Sequence, residues 1–311
     1  MSRRATITGT GLHAPERVVP NAFFDERYGR DISTFLREKR NIHERRWMAP
    51  DEATSDLIVP AARRAMDQAG VTIDDIDLLV VSTDTPDFLS PSTASVVAHK
   101  LGARRTGTFD INTACAGFVT ALDLAAKYIA ADEQYRTILV VGAYAMSKWL
   151  DLDDYKIATL FADGAGAAVV RATTSGRGFG ASHLWTEPLY HDHMGIYGGG
   201  SSKPVSADVL ARREHLLAFP KRIPPETNGL HWPRLARAVL ERVGREPADV
   251  KHWFLTQFNL QSIHETLDAL GVPRARAHLV MDRYGYTGSA SIGMCLADAV
   301  AQGKLHLLAP S

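Results

Sequence analysis

The chain has 311 residues, 45% of them hydrophobic and 23% charged, enough apolar material for one large core or two domain-sized halves. Thirty-five basic residues balance thirty-five acidic ones, so there is no general field for a polyanion; no nucleic-acid partner is expected, and an anionic ligand must meet a local patch. Two cysteines, Cys115 and Cys295, with no CxxC pair and no His/Cys cluster, argue against a disulfide framework and a zinc site; no metal is expected, and the setting is expected to be reducing and cytoplasmic.

The opening "MSRRATITGTGLHAP" turns polar and glycine-rich too early for the apolar core of a signal peptide. No uncharged apolar run approaches the ~20 residues that cross a bilayer, so no membrane association is expected. "AARRAMDQAG" has helical spacing and closes on Gly70, and "IDLLVVSTD" is a short apolar run of the kind buried on both faces of a sheet. "TASVVAHKLG" then reads as helix, "TGTFDIN" as strand, "CAGFVTALDLAAKYIA" as helix, and "RTILVVGAY" and "GAGAAVVRA" as strands. This alternation predicts an α/β fold around a central sheet.

A second copy of the pattern follows. "AMDQAGVTIDDIDLLVVS" aligns with "VLERVGREPADVKHWFLT", matching Gly70 to Gly244, Asp75 to Asp249 and Ser82 to Thr256. Ser82 to Cys115 spans 33 positions, as does Thr256 to Ser289. Both intervals end where a strand-like run enters a small-residue helix start, "TACAG" and "TGSAS". Two related halves, 1–175 and 176–311, fit this best, divided where "TTSGRGFG" breaks the pattern. Residues 182–227, with "YHDHMGIYGGGSSKP", belong to neither copy and are read as loops around a cleft.

Cys115 lies at a strand-to-helix junction between small neighbours. Free backbone N–H groups and the helix dipole there favour an anion, which predicts a depressed thiol pKa and a nucleophilic sulfur. The N–H of Cys115 would help hold the oxyanion formed when a thioester is attacked. A cysteine that simply packs is the competing reading.

"TACAGF", "LFADGAGAAVV", "EKRNIHERRW" and "LTQFN…DRYGYTGSAS" together resemble the β-ketoacyl-acyl-carrier-protein synthase III family of the thiolase superfamily. The resemblance implies a duplicated thiolase-like fold layered α-β-α-β-α and a homodimer built partly through residues 88–95. It implies no cofactor beyond its substrates, acyl-CoA or acyl-carrier protein, in fatty-acid or secondary-metabolite biosynthesis. Cys115 would accept an acyl group, and a histidine and an asparagine would then support decarboxylation of a malonyl thioester. Here the histidine's segment reads Leu255, Thr256, Gln257, Phe258, Asn259, with Thr256 in its place. The asparagine's segment reads Tyr284, Gly285, Tyr286, Thr287, with Tyr286 in its place. Two hydroxyls can donate hydrogen bonds, but neither is cationic and Thr256 is no base near neutral pH.

His191 and His193, in the cleft loops, are candidate substitute bases; His252 reads as a core residue and His264 as a surface one. The family's adenine-stacking ring corresponds to Phe35. Lys39 stands near the place of one phosphate-binding arginine of the family, and Tyr155, with Lys156 beside it, falls where another is expected, so phosphate contacts are weaker than guanidinium forks would give, or absent. "LFADGAGAAVV" runs from strand to strand and is read as close packing, not a nucleotide fingerprint. The family adds two strands and a glycine-rich turn after the point where this sequence reads "KLHLLAPS". The second half is therefore expected to be short at its C-terminus. The rival to an acyltransferase is a catalytically silent scaffold subunit of a synthase pair.

Overall fold

The structure is a computed structural model that describes residues 3–307. Seven strands form: β1 (Arg4–His13), β2 (Val18–Pro20), β3 (Glu44–Arg46), β4 (Leu78–Ser82), β5 (Gly107–Ile111), β6 (Thr137–Ala145) and β7 (Asp163–Thr173). Five of them make one mixed sheet in the order β1-β7-β6-β4-β5, parallel across β6-β4-β5 and antiparallel across β1-β7-β6, while β2 and β3 pair separately. Every residue of β4 and β6 is buried, which their unbroken Leu, Ile and Val runs require, because helices cover both sheet faces.

The period of two along a strand divides the core. Leu79, Val81, Leu139 and Val141 face the helices Thr54–Ala69 and Thr93–Leu101. Leu78, Val80, Ile138 and Val140 face Phe118, Ala121 and Ala125 of the helix Gly117–Ala131 and Leu296 of the helix Ser291–Ala301. By length and composition alone the stretch Ala114–Ala131 passes for a membrane-crossing helix, but it carries Asp123 and Lys127 and is not an uncharged run. Within the fold it is the middle layer, and Asp123 and Lys127, one turn apart, pair at 2.6 Å.

The repeat seen in the sequence is built in three dimensions at one constant offset. The 3-10 turns Ile73–Asp75 and Pro247–Asp249 correspond, as do Ala114–Ala116 and Gly288–Ala290, each of the latter leading straight into a helix. The second half has a packed layer of its own. Trp253, Leu255, Ala277 and Leu279 pack beneath the helices Thr227–Arg242 and Leu260–Leu270. Among the described residues these segments share only the single bridge Trp253–Ala277. Two backbone hydrogen bonds make that bridge, Trp253 N–H to Arg276 O at 2.9 Å and His278 N–H to Trp253 O at 3.2 Å, in the position of the expected second sheet.

Residues 182–227 contain only the 3-10 turn Pro188–Tyr190, the helix Ala207–Ala211 and the bridge Gly195–Ala218. They return to the body through Leu217, whose N–H donates to Trp149 O at 2.8 Å.

Candidate active site

Strand β5 ends at Ile111, and six residues later the central helix begins at Gly117. The turn between them is tight. Ala114 adopts φ 46°, the left-handed region that costs a residue with a Cβ about 1–2 kcal/mol, and its N–H donates to Asn112 Oδ1 at 3.1 Å. The helix start lies against the end of β4, since a Cβ on Gly117 would stand 1.7 Å from Ser82 Oγ. Glycine at 117 thus lets the first turn of the helix press on the sheet, which fixes where the Cys115 sulfur points.

Two side chains from the second half meet that sulfur. Tyr286 Oη donates to Cys115 Sγ at 2.5 Å, and Thr256 Oγ1 lies 3.2 Å from the same Tyr286 oxygen. Tyr286 is 1% exposed. Its N–H donates to Leu160 O at 3.0 Å and its carbonyl accepts from Ala162 N at 2.9 Å, so the "LFADG" segment holds it from behind. In that segment Asp163 accepts from Met48 N and Ser147 N, both at 2.8 Å, a packing role of the kind read for the motif. Phe161 and Phe258 stand edge-on to the Tyr286 ring at 5.5 and 5.1 Å, and Phe219, from the inserted loops, reaches Phe161 at 6.1 Å.

The electrostatics correct one expectation. Part of the Cys115 surface stays open, yet enough protein surrounds the sulfur that burial pushes its thiol up to about 11. The Tyr286 hydrogen bond pulls the other way, the charge of Asp84 pushes it further up, and the residue's own N–H pulls it down. The helix start is present, but desolvation outweighs it, so the sulfur rests as a thiol and not as the thiolate expected from the sequence.

Other candidates are placed elsewhere. Asn259 caps the helix Leu260–Leu270, its Oδ1 accepting from Gln261 N at 3.0 Å; a side chain spent on a cap does not serve the sulfur. His191 Nδ1 lies 3.2 Å from Pro188 O, and His193 Nδ1 lies 3.0 Å from Asp192 Oδ1 beneath the Tyr190 ring. These contacts stay within their own loop, and the structure brings neither histidine to Cys115. His252 faces the Phe254 ring. Phe35 is 51% exposed with the Arg40 guanidinium 5.6 Å above its ring, and Lys39 lies beside it on an exposed turn. Tyr155 is capped by Arg30 at 3.8 Å, with Lys156 exposed next to it. The guanidinium missing from position 155 is thus present nearby from Arg30, which no spacing in the sequence indicates.

Sequence reading also missed Asp84, two residues past β4. Burial raises its carboxyl to about 6, an interaction with Ser289 works the other way, and its Oδ1 is buried with no hydrogen-bond partner. A polar residue just beyond the carboxyl end of a central strand is the signal that would have marked it.

Residues 109–188 match the family described as 3-Oxoacyl-[acyl-carrier-protein (ACP)] synthase III, and residues 240–307 match its C-terminal part. A 3-oxopimeloyl-[acyl-carrier-protein] synthase of Rhodothermus marinus is 37% identical over 99% of this chain and 90% of its own length. This chain belongs to the 3-oxoacyl-ACP synthase III family. An acetoacetyl CoA synthase of Streptomyces sp. (strain CL190) is 36% identical, covering 97% of this chain and 92% of that one. Among solved structures, the priming β-ketosynthase of the R1128 polyketide biosynthetic pathway superposes with a TM-score of 0.86 at 30% identity, over 98% of this chain and 90% of that one. The fold is the thiolase-like fold of the synthase III enzymes, and the chain is a synthase III-like enzyme of fatty-acid or secondary-metabolite biosynthesis, of the synthase and transferase kind.

Proposed function

We propose that this enzyme takes an acyl group from an acyl-CoA or acyl-carrier-protein thioester onto Cys115 and transfers it to an oxygen, nitrogen or sulfur nucleophile. The observation that carries this reading is the sulfur at the head of the central helix with the Tyr286 hydroxyl 2.5 Å away and Thr256 behind it. In the first step the sulfur would attack the thioester carbonyl, and the Cys115 N–H would meet the developing oxyanion. The second amide that the family resemblance supplies to that oxyanion lies outside the described residues. Decarboxylation of a malonyl thioester needs donors aimed at an enolate oxygen. The donors present here are the Tyr286 and Thr256 hydroxyls, neither of them cationic, which favours a preformed acceptor over a carbanion. The protein requires no bound cofactor and acts in the cytoplasm on this reading.

The same residues give the rival its best support: with a thiol near 11 and both partners replaced by hydroxyls, a silent scaffold subunit is the second reading. Intact-protein mass spectrometry after exposure to acyl-CoAs and acyl-carrier proteins separates them. A mass gain that vanishes in Cys115→Ala supports acyl transfer; no gain from any donor supports the scaffold. Carbon dioxide release on adding malonyl-carrier protein would overturn the preference for a preformed acceptor.

A homodimer belongs to the proposal. Phe88 and Leu89 are 56% and 88% exposed beside β5, and β5 is an edge of the main sheet, an arrangement that invites a second chain. Sedimentation at micromolar concentration tests it, a monomer being the outcome that sinks it.

A further inference from the structure

We propose that Arg45 is a positioning residue, whose buried guanidinium fixes the segment that grips Tyr286 and so sets the Tyr286 hydroxyl on the Cys115 sulfur. Its value to catalysis rests on the acyl-transfer reading above. Arg45 is the middle residue of β3 and is fully buried. Nη1 donates to Val19 O of β2 at 3.0 Å, while Nη2 donates to Asn21 Oδ1 at 2.7 Å and to Thr159 O at 2.9 Å. The guanidinium also lies 4.7 Å from the centre of the Phe24 ring.

All three acceptors are neutral oxygens, and Nε is buried without a partner among the described residues. Holding a cation there costs free energy that an apolar side chain would not, and burial draws the Arg45 pKa down to about 9. A guanidinium offers what an apolar side chain cannot. Its rigid fork holds β2, the start of the helix Asn21–Tyr28 and Thr159 at set distances from one another.

Thr159 leads into the strip of backbone that carries Tyr286. Leu160 O accepts from Tyr286 N at 3.0 Å and Ala162 N donates to Tyr286 O at 2.9 Å, which makes a parallel bridge between Phe161 and Tyr286. The chain after Arg45 follows the same strip: Trp47 Nε1 donates to Phe161 O at 3.0 Å, at the offset of 114 positions that also separates Arg45 from Thr159. Gly285 meets Arg45 from the other side. It precedes Tyr286 with φ 68°, and a Cβ on it would stand 2.7 Å from the Arg45 Cβ. Arg45 thus touches both strips that meet at Tyr286, whose Oη lies 2.5 Å from Sγ. The ring between backbone and hydroxyl is rigid, so a displacement of either strip reaches Oη undiminished and spoils the length and angle of that hydrogen bond.

The test is a double-substitution cycle on the full-length protein. Two rates are read: alkylation of Cys115 by iodoacetamide, followed by peptide mass spectrometry, and acyl gain from acetyl-CoA. Alkylation proceeds through the thiolate, which the Tyr286 hydrogen bond favours. At one pH below the thiol pKa, Tyr286→Phe should slow alkylation roughly 10–100-fold. Arg45→Lys keeps the charge and loses the fork, and should slow it by a similar factor. In the Tyr286→Phe background, Arg45→Lys should change the rate by less than about twofold, because its effect passes through the hydroxyl already removed. A residue that only holds the fold together would slow the double variant by the product of the two factors.

That product overturns the assignment, as does a wild-type alkylation rate in either single variant. If Arg45→Lys does not fold, Asn21→Ala removes one anchor of the guanidinium and enters the same cycle. A smaller loss that vanishes beside Tyr286→Phe supports the assignment; a loss that persists, or no loss, overturns it. Alkylation needs no acyl donor. If the wild type gains acyl from none, the acyl-transfer reading fails, and the alkylation cycle still decides whether Arg45 places Tyr286.

Discussion

The two halves of the molecule run the same backbone turn to different ends. Ala114 and Gly288 occupy equivalent positions with φ 46° and 44°, each opens a 3-10 turn, and each turn feeds a core helix. In the second half the residue that follows is Ser289, 1% exposed, with its hydroxyl bonded to Ala143 O. In the first half it is Cys115, partly open and touched by the Tyr286 hydroxyl. The turn itself is therefore not the catalytic device. What stands over it decides: Tyr144 closes over the Gly288 turn, where a Cβ would come within 2.4 Å of its ring, whereas Asn112, Thr113 and Ala116 leave the Cys115 turn exposed on one side.

The sharpest break of the comparison is Cys115→Ala, which should abolish the acyl-enzyme outright. Cys295→Ala, at a fully buried thiol bonded to His278 O, should leave the mass gain in place; loss in both would refute the assignment. Next in size is Gly288→Ala. It forces a Cβ into the Tyr144 ring and into left-handed backbone, and should cost about 2–4 kcal/mol in urea unfolding. A cost below about 1 kcal/mol would mean that the two turns are not under the same constraint.

A smaller effect is expected from pH. The Asp84 carboxyl, ordinarily at 3.8, is raised to about 6 in the fold, so the native state prefers it protonated. That contribution is complete below 3.8 and lost as pH rises through about 6. Wild type should therefore fall behind Asp84→Asn by roughly 2–3 kcal/mol between those limits. Parallel stability curves for the two proteins would contradict the burial of that charge. Smallest is Ala114→Gly, which gives the first turn the residue the second already uses. It should stabilise by up to about 1 kcal/mol, the relief of strain being offset by glycine's greater entropy when unfolded. Destabilisation would show that Ala114 is held by contacts and not merely tolerated.

Much of this was legible in the sequence because it is periodic. The run "IDLLVVSTD" became the fully buried β4, and Gly70 closes its helix at φ 64° as the stop signal required. The matched spacings from Ser82 to Cys115 and from Thr256 to Ser289 placed both turns. What sequence could not show is the balance of opposed effects at one atom. A helix start lowers a thiol pKa and burial raises it, and only packing reveals that burial wins at Cys115. Asn259 was drawn into the site by its neighbours along the chain, but three-dimensional demand made it a helix cap. Asp84 was legible only as a polar residue just past the carboxyl end of a central strand; that its Oδ1 is buried without a partner is a fact of packing. The second sheet, implied by the family resemblance, is marked among the described residues by one bridge, because a strand is defined only where a partner pairs with it.

Phe219 comes from the insertion that neither half of the duplication contains, and it touches Phe161, which in turn packs on the ring beside the sulfur. A substitution at Phe219 would therefore be felt at the Tyr286 ring through Phe161, although it is made in a loop outside the repeated pattern.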